Sequence, residues 1–295
     1  MRVRELAVLC MAVAGLSGTV SAQIRASAHG VAAQTVDGTT ITIEYFRPQV
    51  RERDPIFGGP VYWGEMWTPG ANWATTIEVD KDIELNGHPV AAGKYSLWMI
   101  VQPEEWTVVL DPTSKLFHTN RPDSSDAQIR FTVVPEERPH LEILTFSFPE
   151  VSATGGTLAM HWATTYVPLS FSVESSREIT FAADKAPPYL GSYTMTWVSP
   201  DPAAEPRVAA FDVFYEDGHL MATVDPAPFV ELERMILIEV ADDWFIVGSI
   251  KDGKLFDMIT DITFEFAVES GEAGSFELRG PTDQVMATGE RKDGS

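Results

Sequence analysis

Sulfur chemistry is nearly absent from this chain: among 295 residues there is one cysteine, Cys10. It lies inside an apolar run at the N-terminus, so the remainder carries no thiol. Disulfides, thiolate metal sites and cysteine nucleophiles are excluded there. Basic residues are also scarce, with 21 Lys and Arg against 43 Asp and Glu and a formal charge of −22. Binding to nucleic acid depends on neutralising phosphates with Lys and Arg, so no nucleic-acid partner is expected, and an anionic lipid surface is disfavoured. Beyond the N-terminal run, no apolar stretch approaches the ~20 residues of a spanning helix, and no transmembrane span is expected once the leader is cleaved. HExxH, GxSxG, SxxK and the complete phosphate-loop pattern GxxxxGK[ST] are all missing, so no cofactor and no metal site is expected. Helical periodicity is scarce.

What is present is a globular composition, 44% hydrophobic, behind a leader-like start. In "MRVRELAVLCMAVAGLSGTVSA", Arg2 and Arg4 precede an apolar run from Leu6 to Leu16. Val20-Ser21-Ala22 then forms an A-x-A-like cleavage site. Residues 1–22 are therefore expected to be a signal peptide, and the mature chain exported, periplasmic or extracellular. The rest reads as short alternating or wholly apolar runs punctuated by Gly, Pro, Asp and Asn, the all-β pattern. Asp37-Gly38, Asn86-Gly87 and Asp217-Gly218 are hairpin dipeptides, because their residues tolerate positive φ. "GKYSLWMIV" is apolar on both faces, as in a central strand covered on both sides.

About eight strands over residues 23–175 predict an antiparallel β-sandwich or jelly-roll-like domain. The pattern lapses over 176–190, where Pro187-Pro188 predicts a linker. Roughly seven further strands over 191–292 predict a small up-and-down β-barrel-like domain, since consecutive hairpins close most readily into a barrel.

The stretches "ASAHGVAAQTVDGTTITIEYFRPQVRERDPIFGG", "WTPGANWATT" and "LNGHPVAAGKYSLWMI" with "EWTVVL" occur in an order that resembles an exported bacterial family known as domain of unknown function 2911. The likeness runs over about residues 27–168. It implies a β-rich secreted domain and brings no reaction, cofactor or catalytic residue. The family pattern has an Arg after the tryptophan and a Glu after the asparagine, where this chain has Thr68 and Trp73. The second half, with "GSYTMTWV", "DGHLMATV" and "ATGERK", resembles a small β-barrel tail of unknown function found behind some serine hydrolases of the penicillin-binding class.

The candidate recognition surface lies in the loop 45–75. Arg47, Arg51 and Arg53 could clamp a carboxylate or phosphate, or could pair with internal acids such as Glu44, Glu52, Asp54 or Glu65. Trp63, Trp67, Trp73, Tyr62 and Phe57 crowd a glycine-rich loop that could stack on a sugar or plug one end of the core. Asn72 is expected to serve its turn by bonding nearby backbone, Tyr45 stands two residues before Arg47, and His29 precedes Gly30 in the first ordered stretch. The binding residues expected are His29, Tyr45, Arg47, Arg51, Arg53, Trp63, Trp67 and Asn72. The reading that follows is a non-catalytic binding or accessory module of the cell envelope, with an unknown small molecule or envelope partner. The alternative is a hydrolase acting on a small anionic or sugar substrate in a cleft near His29 and Arg47.

Overall fold

The computed structural model describes residues 27–199, 201, 203, 205–227, 233–251 and 254–292, and no helix occurs among them. The signal-peptide reading of residues 1–22 falls outside them. The first eleven strands are β1 (Ala28–Val36), β2 (Thr39–Arg47), β3 (Met66–Trp67), β4 (Thr76–Val79), β5 (Ile83–Leu85), β6 (His88–Val90), β7 (Gly93–Ile100), β8 (Trp106–Asp111), β9 (Ile129–Val133), β10 (Glu136–Ser152) and β11 (Gly155–Val173). They form two antiparallel sheets. One runs β1-β2-β4-β7-β8-β9 with β3 added alongside β7, and the other runs β10-β11-β5-β6.

A shared core lies between the sheets. The period of two sends Ile41, Ile43 and Tyr45 of β2 and Leu97 and Met99 of β7 inward to meet Leu144, Phe146, Leu158 and Met160. β7 is a central strand covered on both sides, as its composition requires. Trp98, on its other face, packs with Val109, Ala74 and Leu116 outside the sandwich core.

The dipeptide turns adopt the geometry their residues favour. Asp37 and Gly38 (φ 45° and 71°), Asn86 and Gly87 (48° and 75°) and Asp217 and Gly218 (50° and 82°) all sit in the left-handed region. β11 is a single strand of 19 residues. Pairing with β10 ends at Tyr166, and pairing with β5 begins at Phe171. Pro168, which has no N–H for a ladder, falls in the gap between partners.

The remaining strands are β12 (Gly191–Trp197), β13 (Val208–Glu216), β14 (His219–Asp225), β15 (Arg234–Ala241), β16 (Trp244–Lys251), β17 (Lys254–Glu269), β18 (Glu272–Arg279) and β19 (Val285–Arg291). Each pairs with the next and β19 returns to β12, giving a closed antiparallel barrel. The strand missing from the sequence count is β19, and it is indispensable. With seven strands, first and last would run parallel; the eighth lets the barrel close antiparallel. The interior is filled by side chains, including Tyr193, Phe211, Phe245, Phe264, Phe266 and Phe276.

The stretch 176–190, read above as a linker, is built into this barrel. Phe181, Ala186 and Tyr189 join its core, and Phe181 N donates to Gly218 O at 2.8 Å. Arg291 fixes the same segment by donating to Leu190 O (2.6 Å), Pro188 O (2.7 Å) and Tyr193 Oη (2.7 Å). The turn between β10 and β11 reaches the barrel, where Ala153 N donates to Phe256 O at 2.8 Å.

Candidate functional site

The loop after β2 turns through a constrained corner. Arg51 and Glu52 have φ of 50° and 59°, and consecutive non-glycine residues in the left-handed region are strained. Several bonds hold the corner. Val50 N donates to Glu142 O (2.8 Å) and Arg53 N to Val50 O (3.2 Å). Arg51 N donates to Glu142 Oε1 (2.9 Å). The Glu142 carboxyl is held below the usual carboxylate range, first by that Arg51 N–H and then by His140. Arg53 folds back on its own turn, donating Nε to Val50 O (2.9 Å) and Nη2 to Gln49 O (2.5 Å).

Beyond the corner, the chain folds inward as a plug. Ile56, Phe57 and Val61 are buried in the sandwich core, and Phe57 meets Trp106, Trp67 and Trp162 edge-on at 4.6, 5.6 and 6.2 Å. Trp67 and Trp162 lie nearly parallel, 14° apart with centroids separated by 6.0 Å. The Arg53 guanidinium sits 5.8 Å from the Trp162 ring, within the range of a cation–π contact.

Where corner and plug meet, an open groove of about 510 Å³ is lined by Gln49, Arg51, Arg53, Trp67, His118 and Trp162, with Pro48, Pro60 and Gly70 among its walls. Its chemistry is aromatic and cationic. Half-buried Trp67 offers a stacking surface next to exposed guanidinium groups, an arrangement that binds a ring bearing a negative charge.

Of the expected residues, Arg51, Arg53 and Trp67 line this groove. Tyr45 is a buried inter-sheet tie: its ring meets Phe146 at 4.9 Å and its hydroxyl accepts from Phe146 N at 3.1 Å. Arg47 also ties the sheets, donating Nε to Leu144 O (3.3 Å) and Nη2 to Thr145 Oγ1 (3.0 Å). Trp63, 44% exposed, lies over Gly58, where an added Cβ would come within 2.3 Å of its Nε1. Asn72 takes the left-handed φ of 62° that its turn needs, and its carbonyl accepts from His118 N at 2.8 Å. Its Nδ2, however, is buried without a hydrogen-bond partner, so the expected side-chain bond is not what holds the turn.

His29 lies elsewhere. It pairs opposite Phe46 on β1 and β2, its ring meets that ring at 5.3 Å, and its Nε2 lies 2.9 Å from Glu44 Oε1. Phe46 and Glu44 alternate with Tyr45 and Arg47 along β2, which puts His29 and Arg47 on opposite faces of one sheet. Lys94, on the same outer face, lies 3.3 Å from Glu44 and 3.2 Å from Glu78. The His29 hydrogen bond, with a further contribution from Lys94, outweighs burial and lowers the Glu44 carboxyl pKa.

Three groove residues were not legible beforehand. Trp162 is one residue of the long strand β11 and carries no motif. His118 and Gln49 carry no motif. The grouping comes from long-range pairing, such as the bridge between Gln49 and Ile143.

Comparison with known proteins agrees with the resemblance noted in the first half. Residues 27–171 match the family described as "Protein of unknown function (DUF2911)". No curated protein matches the chain. A solved structure of a protein of unknown function from the DUF3598 family of Nostoc punctiforme PCC 73102 is similar at 8% identity. It covers 75% of this chain and 96% of that one, with a TM-score of 0.17.

Proposed function

We propose that this chain is an exported, non-catalytic binding module of the cell envelope, and that the groove beside the Arg51–Arg53 corner takes an acidic sugar. The observation that carries the reading is the nearly parallel Trp67–Trp162 pair next to two arginines in an open groove of about 510 Å³. A pyranose stacks its apolar face on an indole, while its carboxylate accepts bidentately from a guanidinium. The strained corner supports the same reading, because such conformations cluster where a loop is held for recognition. Export rests on the leader-like residues 1–22. Placement of His29 and Arg47 on opposite sheet faces weighs against a hydrolase using both.

Calorimetric titration of the mature chain with glucuronate, with glucose as the neutral counterpart, tests the proposal. Saturable binding of glucuronate alone is expected. Arg51→Gln and Trp67→Ala should each weaken it about tenfold or more with secondary structure intact. Equal affinity for both sugars, or no effect of either substitution, refutes it.

A further inference from the structure

The outer face of the sheet that holds β2, β4 and β7 carries a second pocket, which has no lining residue in common with the groove. It has a volume of about 340 Å³ and is lined by Glu44 and Phe46 of β2, Thr76 of β4, Lys94 of β7, Trp73 and Ala74 of the loop before β4, and Ser114, Lys115 and Leu116 after β8. The strands form its floor. The segment at Leu116 forms a wall tied to the other loop by Ala74 N donating to Leu116 O (2.9 Å) and His118 N donating to Asn72 O (2.8 Å). Trp73 is braced edge-on against Phe117 at 5.6 Å, which leaves its ring 40% exposed as part of the pocket lining.

Two features ask for a ligand. Thr76 lines the pocket and is only 8% exposed, yet its Oγ1 has no hydrogen-bond partner. A buried hydroxyl left unpaired costs about 1–3 kcal/mol, so it is retained where something satisfies it. The charges are also unevenly paired. Lys94 is matched by Glu44 and Glu78, whereas exposed Lys115 makes no ion pair among the described residues. The pocket therefore offers an aromatic wall, a hydroxyl in its floor and an unmatched ammonium group.

From this geometry we infer a second binding site, specific for a small aryl carboxylate that carries another polar group. The ring packs against Trp73 and Phe46, the carboxylate pairs with Lys115, and the second polar group bonds to Thr76 Oγ1. The volume is within the range of small-molecule pockets, near the lower end of about 300–1,000 Å³.

The test is ligand-observed NMR titration of the full mature chain with 4-hydroxyphenylacetate. Phenylacetate (no phenol) and 4-hydroxyphenylethanol (no carboxylate) serve as paired controls. The wild type should bind 4-hydroxyphenylacetate saturably and prefer it about three- to fivefold over each control, the scale of one exposed ion pair or one hydrogen bond. Lys115→Gln should erase the preference over the alcohol, and Thr76→Val the preference over phenylacetate. Arg51→Gln should leave both preferences unchanged. Absence of saturable binding overturns the inference, as do preferences that survive in the two pocket variants. Loss of binding in Arg51→Gln would place the compound in the other groove and overturn it equally.

Discussion

Gly289 is the position in the barrel least able to accept a side chain. It sits on β19 opposite Phe276 of β18 and Met195 of β12. A Cβ built there would lie 2.0 Å from Phe276 Cε1 and 2.3 Å from its Cζ, whereas carbon atoms pack at roughly 3.5–4.0 Å. The ring would have to retreat by about 1.5 Å. It has nowhere to go, because Phe276 is 1% exposed and is ringed by Phe211 (4.6 Å), Phe264 (5.4 Å), Phe266 (5.4 Å) and Tyr193 (5.5 Å). Overpacking of a filled core costs about 1–3 kcal/mol when neighbours can shift. This contact is more severe than most, so Gly289→Ala should destabilise the barrel by about 3 kcal/mol. The assay is urea denaturation followed by tryptophan fluorescence. Combining Gly289→Ala with Phe276→Leu should cost less than the two single changes added together, because removing part of the ring relieves the clash. A loss below about 1 kcal/mol for Gly289→Ala, or strict additivity in the double variant, would refute the packing argument.

Three further outcomes are expected. Burial pushes the Tyr193 phenol up to about 12 and raises Tyr189 as well, with a contribution there from the Asp243 hydrogen bond. Their stability contribution is whole below pH 10 or so, where the unfolded phenols ionise, and it falls as pH rises toward the folded values. For Tyr193 alone the loss should reach about 2 kcal/mol by pH 12, and a pH series of melting curves should flatten in Tyr193→Phe. Tyr45→Phe leaves the buried Phe146 N–H without its acceptor and should cost about 1–3 kcal/mol by chemical denaturation, with the fold retained. Arg291→Met removes a guanidinium that donates to three backbone carbonyls, those of Ala273, Leu190 and Pro188. It should destabilise by about 3–5 kcal/mol and raise hydrogen exchange first over residues 186–190; unchanged exchange there would contradict that role.

The turns, the antiparallel all-β class and the C-terminal barrel were readable from the sequence; the individual long-range pairings were not. The Asp-Gly and Asn-Gly turns could be placed because positive φ is a property of the residues that occupy them. β7 could be placed because both of its faces are apolar. β19 escaped notice because, in "VMATGER", its inward residues are small Ala287 and Gly289, leaving room for Phe276 rather than advertising a hydrophobic face. The linker reading of 176–190 followed Pro187-Pro188, which do break regular structure. Phe181 and Tyr189 nevertheless bury on either side of the break. At the site, the Arg51–Arg53 corner and Trp67 could be suspected from composition. The division of labour between Arg47, which ties the sheets, and Arg51 and Arg53, which line the groove, could not. It depends on β10 and β11, about a hundred residues downstream.

The most direct measurement is backbone and indole amide shift mapping by NMR on the isotope-labelled mature chain titrated with glucuronate. Shifts concentrated on Arg51, Arg53, Gly70, His118 and the Trp67 indole, saturating together, are what a recognition groove at that corner requires. Saturating shifts confined to the barrel or to the Trp73 pocket, or a spectrum that does not change, would contradict it.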